Sequence, residues 1–89
     1  MDVTWDDWKA DRNIKKHGVS FEEAATVIGD PLARVFFDNC QNEERLLWVG
    51  NSARERLLVV ITVERRNHIR IISARPPTAR ERDIYEEGI

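Results

Sequence analysis

Arginine and tyrosine side chains suited to nucleotide binding crowd the stretch from residue 70 to residue 85 of this 89-residue chain. Arginine can hold phosphate oxygens through two parallel hydrogen bonds, and a tyrosine ring can stack on a base. On a helix, Arg82 and Tyr85 would be neighbours, whereas Arg80 would lie off to the side. The spacing therefore indicates a site for a phosphate-containing ligand, although an ordinary cation–π contact on a helix surface would have the same spacing.

A second group able to do chemistry is the corner Lys15-Lys16-His17-Gly18. Cleavage of RNA at its own 2′-OH needs a base for that hydroxyl, cations for the charge on phosphorus and an acid for the leaving 5′-oxygen. The sequence contains no G-x-S-x-G, P-loop or H-E-x-x-H motif. It thus permits a metal-independent ribonuclease without requiring one. Spacing alone favours a plainer role, in which His17 and the two lysines stabilise a helix C-terminus through its dipole.

Three further side chains have competing interpretations. Arg70 alternates with two isoleucines, so it points away from their face and either lines a groove or is solvated. His68, at the start of the same strand, is expected to be exposed and idle. Glu81 follows Thr78 by three residues and is better explained as its capping partner than as a general base.

The charge of the chain is unevenly divided. The net charge is −2, but eight arginines and three glutamates between residues 54 and 82 give that stretch a net charge of +5. The remainder therefore carries −7. Such a division can present one basic face to a polyanion, and it can equally reflect arginines that decorate the exposed face of a sheet.

Length and composition indicate a single small domain over residues 1–89. The one cysteine, Cys40, excludes an internal disulfide, and the two histidines have no metal-ligand spacing, so neither metal nor cofactor is expected. The longest apolar run, residues 57–63, is too short to span a bilayer, and the acidic start is no secretory signal. We therefore expect a cytoplasmic protein.

Two short helices are expected at the N-terminus. Thr4 followed by Asp7 offers a start for the first helix, with Trp5, Trp8 and Ile14 as a buried stripe. Gly18 would end that helix. The second helix would begin at a capping box formed by Ser20 and Glu23, carry its apolar face on residues 21–28, and end at Gly29-Asp30-Pro31.

From residue 33 onward, the spacing of apolar residues changes from that of helices to that of strands. Strands are predicted at residues 34–37, 45–49, 57–63 and 68–75, with turns at 39–42, 50–53 and 64–67. The third strand is apolar on both faces, which indicates a central position. Pro76-Pro77 ends the fourth, and the Thr78–Glu81 capping box begins a last helix. The predicted fold class is α+β, with two N-terminal helices, a four-stranded antiparallel sheet and a C-terminal helix.

Several ordered motifs give the chain a resemblance to the BrnT family, the toxins of a bacterial type II toxin–antitoxin system. The main ones are K-H-G-V-S-F-E-E-A-A-T-V from Lys16, R-I-I-S-A-R from Arg70 and R-E-R-x-x-Y-E from Arg80. The W-D-x-x-K start, Asn13, the D-P-L-A corner and the L-L-V-V strand also fit. The resemblance therefore covers nearly the whole chain.

The resemblance implies a RelE-like ribonuclease toxin fold and a metal-independent endoribonuclease that inhibits translation by cutting RNA. It also implies a BrnA-type antitoxin with a ribbon-helix-helix DNA-binding part, through which the pair would bind operator DNA. A homodimer or a heterotetramer with the antitoxin would be the assembly. The alternative is a catalytically weak binding module of the same fold that acts with its antitoxin as a transcriptional co-repressor.

Eight residues are carried over by position from the family. The catalytic candidates are Lys16, His17, Arg75, Arg82 and Tyr85, and the RNA-binding candidates are Arg70, Ser73 and Arg80. Within this set, phosphate binding is assigned to Arg75 and Arg82. Proton transfer is assigned to His17 or Lys16, and base stacking to Tyr85.

Overall fold

The computed structural model describes residues 2–38 and 45–88. Within these ranges the chain forms an α+β fold with three helices and one five-stranded sheet. The elements are, in chain order, β1 (Asp2–Thr4), α1 (Asp7–His17), α2 (Phe21–Ile28), β2 (Arg34–Asp38), β3 (Arg45–Asn51), β4 (Leu57–Arg65), β5 (His68–Arg75) and α3 (Ala79–Glu87). No helix in the described ranges is both long and apolar enough to cross a membrane.

The sheet has one strand more than the sequence predicted, and it is not wholly antiparallel. Its order is β1-β5-β4-β3-β2, and β1 pairs in parallel with β5, with Asp2 opposite His68 and Thr4 opposite Arg70. The other three pairs are antiparallel, as expected. The four-stranded prediction is wrong because β1 has only three residues, too few for an alternating pattern to be visible.

The predicted buried stripe of α1 is also wrong. The helix begins at Asp7, with Asp6 rather than Thr4 as its N-cap. Trp8 is 59% exposed and Ile14 is 47% exposed, and the buried side chains of α1 are Ala10 and Asn13. A helix of mostly charged residues can thus bury one small and one amide side chain instead of a large apolar stripe.

Trp5 belongs to the core for a different reason from the one predicted. It lies between β1 and α1, where its ring meets the Phe21 ring edge-on, with centroids 6.1 Å apart and an interplanar angle of 79°. Such T-shaped contacts are favourable between aromatic rings. Trp5 and Trp8 therefore do not share a helical face.

The main core lies between one face of the sheet and the helices α1 and α2. Phe21, Val27, Leu58 and Ile71 are among its fully buried side chains. A smaller cluster on the other face joins Val49, Leu57 and Val59 to the ring of Tyr85 in α3. Strand β4 contributes to both clusters, which confirms its predicted central position.

Both hairpin turns that the structure describes begin two residues later than predicted, because β3 extends to Asn51 and β4 extends to Arg65. Arg66 and Asn67 join β4 to β5, within the predicted turn at 64–67. Residues 50 and 51 belong to β3, so the turn predicted at 50–53 instead begins at Ser52, whose N–H donates to the Arg56 carbonyl at 2.9 Å. The predicted turn at 39–42, which contains Cys40, lies outside the described residues.

The capping box predicted at the start of α2 is only half formed. The Ser20 hydroxyl accepts the Glu23 backbone N–H at 3.0 Å, as expected. The Glu23 carboxylate instead accepts from the Ser52 hydroxyl at 2.7 Å and from Arg56 at 2.7 and 2.5 Å. These bonds tie α2 to the turn between β3 and β4, and the Arg56 guanidinium lowers the pKa of Glu23 to about 2.

Replacing Glu23 with glutamine is therefore expected to lower the free energy of unfolding at neutral pH. It should also make that free energy depend less on pH in the acidic range. The Glu23 side chain is only 4% exposed. Because its folded pKa lies below its ordinary value of 4.5, its stabilisation is present above that pH and is lost as the pH falls toward 2. The difference between the ordinary and the folded pKa of Glu23 corresponds to about 3 kcal/mol of stabilisation.

Urea unfolding of both proteins at pH 7 and pH 3 measures this effect. Glu23→Gln should be less stable than wild type at pH 7 by roughly 2 to 3 kcal/mol, and the gap should narrow at pH 3. Glu22→Gln, at an exposed position on the same helix turn, is the matched control. An equal difference in the free energy of unfolding between wild type and Glu23→Gln at both pH values would contradict the assigned ion pair.

Candidate functional site

Seven of the eight predicted site residues line four clefts of the described surface, and Arg75 lies at the junction between β5 and α3 without lining any of the four. We name the two that matter most. The α1 cleft has a volume of about 190 Å³ and is lined by Trp8, Lys9, Arg12, Asn13, Lys16, His17, Ile72 and Ser73. The α3 cleft has a volume of about 420 Å³ and is lined by Asn51, Glu55, Arg56, Leu57, Leu58, Pro76, Pro77, Arg82, Tyr85 and Glu86.

The α1 cleft brings together three of the predicted residues, Lys16, His17 and Ser73. The first two lie on the last turn of α1, which Gly18 ends in the left-handed conformation with φ 70°. Ser73 lies on β5, beneath that helix. A lysine, an imidazole and a hydroxyl thus line one cleft, although Ser73 is more than fifty residues from the other two in the chain.

Basic side chains that the sequence analysis missed complete this cleft. Lys9, Arg12 and Lys16 are spaced at i, i+3 and i+7, which places them on one side of α1. No acidic side chain lines the α1 cleft, and within residues 2–38 and 45–88 neither Arg12 nor Lys16 forms an ion pair. The spacing is visible in the sequence, but the predicted buried stripe assigned the wrong face of α1 to the core.

A buried amide holds the two walls of the α1 cleft together. The Asn13 side-chain nitrogen donates to the carbonyls of Val19 at 2.9 Å and Ala74 at 2.8 Å, and its oxygen accepts the Ala74 N–H at 3.2 Å. These bonds join α1 to the loop after it and to β5. Asn13 therefore fixes the position of His17 relative to Ser73.

Arg70 lines a neighbouring cleft that shares Lys9 with the α1 cleft. Its guanidinium forms a hydrogen-bonded ion pair with Asp6, and Lys9 Nζ lies 4.0 Å from the other oxygen of that carboxylate. The Arg70 hydrogen bond lowers the pKa of Asp6. Arg70 thus lines a groove, one of its two predicted positions, and shares its charge with a carboxylate.

Arg75 is held in a bidentate ion pair at the junction between β5 and α3. Its two terminal nitrogens lie 2.8 and 2.9 Å from the two carboxylate oxygens of Glu81. Glu81 also accepts the Thr78 N–H at 2.8 Å, which confirms the predicted capping box. The Arg75 guanidinium lowers the pKa of Glu81 to about 2. The phosphate role of Arg75 stays a prediction, and a phosphate there would compete with Glu81.

The α3 cleft contains Arg82 and Tyr85, as their spacing predicted. The Tyr85 hydroxyl donates to Asp30 Oδ2 at 2.7 Å and accepts from Asn51 Nδ2 at 3.2 Å. Partial burial, with the Asp30 hydrogen bond, raises the pKa of Tyr85. Arg82 is exposed and lies 3.8 Å from Glu86, one helical turn away. The stacking role of Tyr85 stays a prediction, because one edge of its ring is fixed to Asp30.

Arg80 lies apart from both named clefts, on the side of α3 that its spacing predicted. It borders an apolar groove of about 290 Å³ whose lining includes Phe36, Leu47, Val49 and Ile84. The predicted set is therefore split: Lys16, His17 and Ser73 meet at the α1 cleft, and the others lie elsewhere. Among the described residues, no three His, Cys, Asp or Glu side chains are placed to hold a metal ion.

Comparison with known proteins agrees with this fold. No curated protein sequence matches the chain. A crystal structure of the ribonuclease toxin BrnT from Brucella abortus superposes with a TM-score of 0.70 at 26% sequence identity, over 88% of this chain and 97% of that one. Residues 5–81 match the model of the family described as the ribonuclease toxin BrnT of type II toxin–antitoxin systems. The chain therefore belongs to the BrnT family of ribonuclease toxins.

Proposed function

We propose that this protein is a metal-independent endoribonuclease and that its reaction takes place at the α1 cleft. The observation that carries the proposal is the meeting of His17, Lys16 and Ser73 in one cleft whose remaining charged side chains are all basic. Such a cleft attracts an RNA backbone and holds groups able to move protons. Its family is one of ribonuclease toxins, which supports RNA as the substrate.

The proposed reaction is attack by the RNA on its own phosphodiester. His17 accepts the proton of the 2′-OH, and the 2′-oxygen forms a bond to phosphorus. The bond from phosphorus to the 5′-oxygen then breaks, and Lys16 gives that oxygen a proton. The products are a 2′,3′-cyclic phosphate and a free 5′-OH, and no other reactant is consumed.

Three neighbouring side chains would stabilise the charge that develops on phosphorus. Lys9 and Arg12 place cations at the cleft, and the Ser73 hydroxyl can donate a hydrogen bond to a phosphate oxygen. Arg70, next to Lys9, would bind the adjoining RNA backbone.

The α3 cleft is proposed as a second contact with the same RNA. Arg82, exposed at its rim, would bind a phosphate there, and Tyr85 would contact a base through the open part of its ring. Arg75 lies on β5 between Ser73 of one cleft and Pro76 of the other, and Arg80 lies on the adjoining helix. Their contribution would be to affinity rather than to proton transfer.

The proposed biological role follows from the family. A type II toxin acts together with an antitoxin, and we propose a BrnA-type antitoxin with a ribbon-helix-helix part that carries the pair to operator DNA. In its absence, cleavage of RNA in the cytoplasm would inhibit translation. The assembly proposed is a homodimer of the toxin or a heterotetramer with the antitoxin.

A second candidate function is a co-repressor that binds without cutting. The observation in its favour is that two arginines expected to bind phosphate, Arg70 and Arg75, already form ion pairs with carboxylates. If phosphate cannot displace those partners, the fold would serve mainly to bind its antitoxin.

Incubation of mixed-sequence RNA with the purified protein, freed of antitoxin and in excess EDTA, separates the two candidates. The ribonuclease proposal expects cleavage products with 2′,3′-cyclic phosphate and 5′-OH ends, and growth arrest when the protein is expressed alone. RNA that binds but stays intact, together with unimpaired growth, would contradict it and support the co-repressor.

A further inference from the structure

Among residues 2–38 and 45–88, Trp8 belongs to neither of the two core clusters. The other two tryptophans are partly buried: Trp5 packs against Phe21, and the Trp48 indole N–H donates to the Thr62 hydroxyl at 2.9 Å. Trp8 instead exposes 59% of its surface on a helix whose other residues are mostly charged. Single exposed apolar side chains are common on protein surfaces, so the exposure of Trp8 gains meaning only from the side chains around it.

The position of Trp8 places it within the α1 cleft. Trp8, Arg12 and Lys16 follow one another at intervals of four residues, so they form a row along one side of α1. All three line the α1 cleft. Lys9 Nζ lies 5.7 Å from the centre of the Trp8 ring, which gives the ring a cationic neighbour. An aromatic surface and a row of cations are the two parts of a single-strand binding site.

We infer that Trp8 forms a subsite for one unpaired nucleobase of the RNA, next to the phosphate that is cut. The base would stack on the indole, while Lys9 and Arg12 bind the phosphates on either side of that nucleotide. Every base has a π-face, so the subsite would tolerate all four bases but would require one that is not paired in a duplex. This inference rests on the proposed function, because it places the base beside His17 and Lys16.

The subsite can be tested by binding alone, with an RNA that cannot be cleaved. The probe is a short, fluorescently labelled 2′-O-methyl oligonucleotide, which has no free 2′-OH, measured by anisotropy at low salt. A version in which the bases are replaced by abasic residues is measured in parallel. Trp8→Leu should lower the affinity for the base-containing oligonucleotide by about fivefold to a hundredfold and leave that for the abasic one unchanged. Trp8→Phe should retain most of the affinity.

Two further measurements distinguish a loss of base stacking from a loss of charge and from a general disturbance of the fold. The salt dependence of binding should be the same for Trp8→Leu and wild type, because no cation is removed. Ile14→Ala is the matched control, since Ile14 is an exposed apolar residue of the same helix outside the α1 cleft. It should bind both oligonucleotides as wild type does.

The outcomes also separate this inference from the proposed function. If Trp8→Leu binds the base-containing oligonucleotide as tightly as wild type, the base subsite is overturned, whether or not RNA is cleaved. If that variant loses base-dependent affinity while wild type fails to cleave natural RNA, the subsite stands and the ribonuclease proposal fails.

Discussion

Replacing His17 with alanine is expected to lower the rate of RNA cleavage at saturating RNA by roughly 10²- to 10⁴-fold. His17 lies in the α1 cleft beside Lys16 and Ser73, where it is the proposed acceptor of the 2′-OH proton. Removal of the imidazole leaves the cations of the cleft in place. RNA binding should therefore change little, and the loss should appear in kcat rather than in KM.

His68→Ala is the matched control for this prediction. His68 is the other histidine of the chain, and it lies at the start of β5 in the cleft that also contains Arg70. Its removal should leave kcat within a few-fold of wild type. His17→Ala should also lose no more than about 1 kcal/mol of stability, the upper end of what a side chain near a helix C-terminus usually contributes through the dipole. A variant that cleaves at the wild-type rate would show that His17 serves only the helix.

Replacing Asn13 with alanine is expected to lower the free energy of unfolding by roughly 2 to 4 kcal/mol. Asn13 is buried, and its amide satisfies two backbone carbonyls and one backbone N–H of Val19 and Ala74. Alanine would leave all three without that partner. For a domain of this size, such a loss is a large part of the whole stability.

Asn13→Asp tests whether the amide acts through its donors. Aspartate has nearly the same shape, but it would direct a carboxylate oxygen at the carbonyls of Val19 and Ala74. We expect it to be at least as destabilising as alanine in urea unfolding at pH 7. Arg12→Ala, at the neighbouring exposed position, should change the stability by less than about 0.5 kcal/mol. Values for Asn13→Ala within that range would contradict the assigned role.

Local sequence patterns were sufficient to predict the elements that contact residues nearby in the chain. The capping box at Thr78 and the central position of β4 were predicted and are confirmed. The hairpin from β4 to β5 is also present, although its turn is residues 66 and 67 rather than the predicted 64–67. The partner of β1 is β5, more than sixty residues away. A three-residue strand has no pattern of its own, so it could be recognised only from the sheet edge that it covers.

The buried face of α1 could not be found from apolar periodicity. Its largest apolar side chains, Trp8 and Ile14, are exposed, and its main buried contact is the hydrogen-bonded amide of Asn13. An asparagine in a charged helix resembles any solvated residue until its three backbone partners are known. The same error concealed the basic row of the α1 cleft, whose spacing was regular.

The roles of the candidate site residues stay predictions, but the structure shows which of them lie near one another. Lys16 and His17 come from one motif and Ser73 from another, and the packing of α1 on β5 places all three in one cleft. The ion pairs that hold Arg70 and Arg75 were not foreseen. The pair of Arg70 depends on tertiary structure, because Asp6 lies sixty-four residues away at the entry into α1. The pair of Arg75 depends on the capping turn of α3, which directs the Glu81 carboxylate back toward the end of β5.

A comparison of two variants decides whether the reaction takes place at the α1 cleft or at the α3 cleft. Cleavage rates at saturating RNA in excess EDTA are measured for wild type, Lys16→Ala and Arg82→Ala. We expect Lys16→Ala to lose at least roughly 100-fold in kcat, whereas Arg82→Ala should chiefly raise KM. A loss of kcat in Arg82→Ala, with Lys16→Ala as active as wild type, would instead place the reaction at the α3 cleft.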